Sequence, residues 1–157
     1  MLTNNFNPKA SLQITRVIFF GLISGITFFF LIALYLSSGN LVFKFDTKDP
    51  FTFVVLILAC TSIPIGYLYS QKVIKSFKPD STPGEKYSLY QQGLIMRLAF
   101  FEGVGLFSIV CILISSNLFF ALFFSIALIA MILNYPVPEK IGETLELTSS
   151  EIESFNN

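Results

Sequence analysis

Four long apolar stretches leave this chain few ways to fold. Val17 to Leu36 and Phe51 to Ser70 are each 20 residues without a charge. Leu94 to Ile114 carries only Arg97, near its start, and Glu102. Leu118 to Tyr135 carries none. A bilayer core roughly 30 Å thick is crossed by about 20 apolar residues rising about 1.5 Å each. Lipid offers no partner to a backbone N–H or C=O, so a lone crossing segment must be a helix. The expectation is therefore an all-α, polytopic membrane protein. Its four transmembrane helices, at about 17–36, 51–70, 94–114 and 118–135, would form an up-down bundle.

In 157 residues this leaves one bundle, 16–135, between a mobile N-terminal arm (1–15) and an acidic cytoplasmic tail (136–157). Charged residues make up 13% and hydrophobic ones 54%, with nineteen Phe, too little charge for a soluble domain. A net charge of zero argues against a nucleic-acid partner, which would call for excess Lys and Arg. There is no His, and both cysteines, Cys60 and Cys111, fall inside predicted spans as small hydrophobes. Zinc, haem and iron–sulfur sites lack ligands, and histidine-based catalysis is excluded, so no cofactor, metal or enzymatic activity is expected. The first apolar stretch is longer than a signal-peptide core and lacks a small-x-small cleavage pattern, so it reads as a retained helix.

Basic residues sort by side. The arm (Lys9, Arg16), the central loop (Lys72, Lys75, Lys78, Lys86, with Arg97 at its membrane end) and the tail (Lys140) give 2 + 5 + 1 = 8. The opposite side holds Lys44 and Lys48 alone. The positive-inside rule then puts both termini in the cytoplasm of a cell whose cytoplasmic (inner) membrane holds the protein. Tyr35, Tyr67, Tyr69 and Tyr135 sit near helix ends, where interface anchors belong.

Small residues mark helix-packing positions. Gly21 and Gly25 form a GxxxG strip, suited to an intrabundle seam or to contact with another subunit. Ser62 and Gly66 form a similar pair beside Pro64, which removes a backbone hydrogen bond and bends its helix. Lys72, Lys75 and Lys78 share a side if the second helix continues past the membrane. Thr82-Pro83-Gly84-Glu85 is a capping box. From it the third helix would run about 33 residues, about 50 Å, with a cytoplasmic extension whose Tyr87, Tyr90 and Leu94 offer a strip to a partner. Ser115-Ser116-Asn117 forces an antiparallel hairpin into the fourth span, which Pro136 and Pro138 end. Glu139 to Leu147, with Ile141 and Leu145 four apart, reads as a short C-terminal amphipathic helix. Ser150 and Glu153 suit a last capped turn.

Glu102 is the candidate for ion binding. Five residues beyond Arg97, it lies about 140° around the helix from it, so the two are not an intrahelical pair. Ala99, Gly103 and Gly105 surround it with small side chains suited to close packing. A charged carboxylate in lipid costs about 2.5–3.5 kcal/mol on insertion scales, so Glu102 is expected to point into the bundle. Arg16, Tyr67, Tyr69, Asn134 and Tyr135 lie at similar depth as partners. Three roles stay open: a structural polar contact, proton or cation handling, or a residue reaching headgroup water.

Arg97-Leu-Ala-Phe-Phe-Glu102-Gly-Val-Gly-Leu-Phe-Ser-Ile-Val110 resembles the outer helix of the rotary ATP synthase proteolipid, the c subunit. That resemblance implies an ion-carrying role for Glu102. It covers fourteen residues, and the Phe-rich spans and long central loop depart from that family's pattern. A wider resemblance runs through Arg97-x-Ala-x-x-Glu102-Gly103, Asn117-Leu-Phe119 and Pro136-Val-Pro-Glu-Lys140-Ile141. It is similar to uncharacterised small four-helix membrane proteins of the Bacteroidetes group and implies a topology without an activity. The expected function is a small integral or accessory component of a membrane complex, whose partners are the bilayer and other membrane subunits or further copies of itself. The alternative is proton or cation translocation through Glu102.

Overall fold

The computed structural model describes residues 6–78, 80–148, 152, 153 and 155. Helices α1 (Pro8–Ser37), α2 (Pro50–Ile74) and α3 (Pro83–Ser115) are rods of 30, 25 and 33 residues. All three start with a polar cap and a proline in the first turn, where its fixed φ and missing N–H cost nothing. Asn7 Oδ1 accepts from the Ala10 N–H and Asp49 Oδ1 from the Phe51 N–H, both at 3.0 Å. At α3 the expected capping box is complete. Thr82 Oγ1 accepts from the Glu85 N–H at 3.3 Å, and Glu85 Oε2 accepts from the Thr82 N–H at 2.8 Å.

A 3₁₀ turn (Leu118–Phe120) leads into α4 (Ala121–Leu133), and α5 (Pro138–Leu145) follows. Among the described residues there is no β-strand, only an isolated bridge between Val42 and Asn117. Among the described residues three helices are long and apolar enough to cross a membrane. A fourth span is reached if Leu118–Leu133 and Pro138–Leu145, bent by 76°, count as one.

Several expectations need correction. Helix α1 starts at Pro8, so most of the supposed mobile arm is helical, with Leu12 and Thr15 buried. The Asn7-Pro8 cap signalled this start, and residues 1–5 lie outside the described residues. Helix α2 ends at Ile74 with Lys75 as its cap, so Lys72, Lys75 and Lys78 do not line one helix face. The stretch 118–135 is helical only to Leu133 and opens with a 3₁₀ turn. Asn117 Oδ1 accepts from the Phe119 N–H at 3.0 Å and sets a 3₁₀ start, and α4 stops at Leu133. The Tyr87, Tyr90 and Leu94 strip is not free for a partner. It is buried in a cluster with Leu12 of α1, Ile141 and Leu145 of α5, and Phe155. That packing also gives the amphipathic tail helix its expected face. The predicted Ser150 cap lies outside the described residues, while Ile152 and Glu153 are helical.

Helix α3 is the central rod, packing against α1, α2, α4 and α5. Close approach is set by glycines. A Cβ on Gly66 would lie 2.6 Å from Phe100 Cβ, and one on Gly93 would lie 2.5 Å from Ile74 Cγ1 and 3.0 Å from the Ser70 carbonyl oxygen. Gly105 receives Ile26 of α1 in the same way. Gly21, Gly25 and Gly103 have open space beside them. The GxxxG strip is therefore not an intrabundle seam.

Polar contacts tie the two ends of the bundle. At one end the Val42 N–H donates to Ser116 O at 2.9 Å and the Leu118 N–H to Val42 O at 2.8 Å. Asn117 Nδ2 donates to Lys44 O at 2.8 Å while its Oδ1 accepts from the Lys44 N–H at 3.1 Å. Ser116 enables the tight turn by adopting a left-handed φ of 49°. At the other end Thr15 and Tyr87 share a buried hydrogen bond of 2.8 Å between α1 and α3.

Replacing Gly93 by Ala pushes a methyl group against backbone that cannot rotate away. The expected cost is about 1–3 kcal/mol of stability in detergent, measured by thermal or denaturant unfolding. Gly103→Ala, in open space, is expected to be neutral or stabilising by up to about 1 kcal/mol.

Candidate functional site

Helix α3 presents Tyr90, Leu94, Arg97, Phe101, Val104 and Ser108 at three- and four-residue spacing, and all of them are buried. Arg97 thus sits on the innermost face of the central rod, only 9% exposed. Its Nε donates to Ser70 Oγ of α2 at 3.1 Å, and Nη1 donates to Asn134 Oδ1 just past α4. Its guanidinium carbon lies 4.6 Å from the ring centroid of Tyr67. The Asn134 amide is itself held, with Nδ2 donating to Ala130 O at 2.8 Å, so its oxygen is left facing the arginine. Three helices therefore converge on one cation.

Among the described residues no carboxylate forms an ion pair with Arg97. Among the described residues Lys44–Asp46 is the salt bridge present, at 3.0 Å on the opposite loop. Instead Arg97 lines a cavity of about 260 Å³, together with Tyr67, Tyr90, Asn134, Lys140 and Glu143. Lys140 Nζ donates to Leu133 O at 3.4 Å. Burial, followed by the neighbouring Tyr87, pushes the Tyr90 phenol up to about 12, so its hydroxyl stays neutral. Among the described residues no three His, Cys, Asp or Glu side chains converge. Apart from the Glu143 carboxylate, the charged groups gathered here are the cations Arg97 and Lys140, a balance that suits an anion.

Glu102 occupies a different face. It is half-buried, beside exposed Ala99, Gly103 and Leu106 on the side of α3 that no other helix covers. Among the described residues it has no hydrogen-bond or ion-pair partner. The inward orientation expected from insertion cost is not what the structure has. The proposed partners are used elsewhere. Tyr67 and Asn134 hold Arg97. Arg16 stands over the Tyr135 ring at 5.5 Å and donates from Nε to Pro136 O at 3.4 Å. Tyr69 is exposed. Gly66 and Gly105 are tight packing positions, and Ser62 is half-buried on α2 one turn before Gly66. Ala99 and Gly103 face outward instead.

The sequence shows Tyr67 and Asn134 as polar residues, but the structure gives them to Arg97 and not to Glu102. The missed signal was the register of Arg97 with Tyr90, Leu94, Phe101 and Val104, which places the arginine on the buried stripe. No known protein family matches the chain, and neither a curated protein nor a solved structure is significantly similar to it.

Asn134→Ala removes a charge-assisted acceptor from a buried guanidinium and is expected to cost about 1.5–3 kcal/mol. Glu102→Gln, with no partner to lose, is expected to change stability by less than about 0.5 kcal/mol. Unfolding of both variants in one detergent checks the contrast. Equal effects would mean that Asn134 does not hold Arg97.

Proposed function

We propose that the chain is a four-pass integral membrane protein with both termini in the cytoplasm, acting as a small component or accessory subunit of a membrane assembly rather than as an enzyme. The observation that carries this reading is the outer surface of the long helices. Their most apolar windows have mean hydropathies of 2.6, 2.1 and 2.2, yet only 17, 22 and 44% of those windows is buried inside the chain. Phe20, Phe28 and Leu31 on α1, Ile57 and Leu68 on α2, and Ile129 and Leu133 on α4 all face outward. Acyl chains suit such a surface, and water does not. The Val42–Ser116–Leu118 pairing ties both loops of the basic-poor side together, as two crossings between them by α2 and α3 would require. The fourth crossing is short, with 3 residues of 3₁₀ turn and 13 of α4, so it calls for local thinning of the bilayer. For assembly, the support is α1's outer face, where Gly21 and Gly25 lie open beside Phe20, Ser24 and Phe28.

Extraction of native membranes in mild detergent tests the reading. A stoichiometric second polypeptide or a stable oligomer is expected, weakened by Gly25→Leu. In a variant with Cys60 and Cys111 replaced, Asn40→Cys should react with an impermeant maleimide from outside the cell, and Ser76→Cys only after permeabilisation. A solitary monomer, or the reverse labelling, would contradict it.

A second reading, proton or cation carriage in an oligomer through Glu102, similar to the c subunit, is favoured by one observation. Among the described residues Glu102 has no partner, and it borders an exposed face lined by small residues. A hydrophobic carbodiimide should then modify Glu102 in native membranes, with sodium or high pH protecting it. Labelling of unfolded protein alone would sink this reading.

A further inference from the structure

Arg97 offers more donors than the described residues take up. Of the guanidinium's five N–H groups, one goes to Ser70 and one to Asn134. The other three have no acceptor among the described residues, and no carboxylate pairs with the cation. The residue is nevertheless more than nine-tenths buried. Thr52 Oγ1 is the described buried side-chain polar atom that lacks a partner, so Arg97 Nη2, which has none either, is not sealed in protein. Arg97 lines a cavity of about 260 Å³, the space next to it.

That space is several times the roughly 30 Å³ share of one water molecule, so a tetrahedral oxyanion with a few attached atoms fits. Lys140 supplies a second cation at the wall, and the Tyr90, Gln71 and Thr144 side chains add neutral polar groups. Glu143 is the one acid at the wall, leaving two cations against it. A planar arginine fork with free donors is the side chain best matched to phosphate oxygens, and a half-dry site strengthens each such bond. Exposed Tyr67 and Leu133 at the rim give the cavity an edge on the outer apolar surface of the bundle.

We propose that this cavity binds a phosphate group, seated on the open N–H groups of Arg97, Nη2 foremost, with Lys140 as the second cation. The group belongs either to an anionic lipid headgroup, entering from the bilayer edge between α2 and α4, or to a free phosphate in water. The site lies within a single chain, so it stands or falls separately from the accessory role proposed above.

The test uses the full chain in uncharged detergent. Inorganic phosphate is titrated at constant ionic strength with thermal unfolding as the readout, and native mass spectrometry follows retention of added phosphatidylglycerol. A response to inorganic phosphate identifies the soluble source, and retained lipid identifies the headgroup. In either arm Arg97→Gln is expected to weaken binding at least about tenfold. Glu143→Gln, at an exposed position, should tighten it about threefold by removing the opposing acid. Should Arg97→Gln fail to fold, Thr144→Trp fills the cavity from α5 while leaving both Arg97 hydrogen bonds in place, and it should abolish binding. The proposal is overturned if neither probe binds the wild type, or if binding is unchanged in the folded arginine variant or in Thr144→Trp.

Discussion

Helices in lipid gain little from burying apolar surface against one another, so close van der Waals approach at small residues has to hold them. Here that approach is made between α2 and α3. Gly93 lets the Ser70 backbone come so near that a Cβ would sit 3.0 Å from its carbonyl oxygen, and Gly66 opens the same seam to Phe100. The closeness of the rods is also what brings Ser70 Oγ to 3.1 Å from Arg97 Nε. A wider seam would strand a buried cation, so packing and polar chemistry are one constraint. Helix α4 completes it from the third side through Asn134.

The ends of the bundle are built differently. One is stitched by backbone pairing and by the bidentate grip of Asn117 on Lys44, needing few charges. The other collects most of the basic residues and, with them, the aromatic cluster of Phe6, Tyr87, Tyr90 and Phe155. Helix α5 closes that cluster from below with Ile141 and Leu145, turned sharply from α4 after Pro136 and Pro138. Proline fixes where α4 cannot continue, and the apolar spacing of α5 fixes which way it folds back.

Much of the helical layout was legible because its signals are local. The capping box at Thr82, the Asp49-Pro50 start and the length of α3 follow from chemistry within four residues of each helix end. The Asn7-Pro8 start is equally local, but the polar residues that follow it hide a helix behind the look of a disordered arm. The 3₁₀ entry of α4 depends on how Asn117 divides its amide between Phe119 and the first loop, a contact between distant segments that composition does not encode. The fate of the Tyr87, Tyr90 and Leu94 strip was hidden for the same reason. An apolar stripe announces that something covers it, not which segment does.

The site shows a deeper asymmetry between the two charges of α3. Insertion cost alone treats Arg and Glu alike and predicts that both turn inward. A helical bundle is not symmetric toward them. Its interior N–H groups are already committed to carbonyls one turn back, so spare donors for a carboxylate are scarce. Spare acceptors are not scarce. A carbonyl takes a second bond, a serine oxygen and an asparagine oxygen are free to accept, and a tyrosine face attracts a cation. A guanidinium, weakly hydrated and planar, can therefore be satisfied among helices by neutral side chains, as Ser70, Asn134 and Tyr67 do. A carboxylate 140° away finds no such set and stays at the outer rim of the same rod.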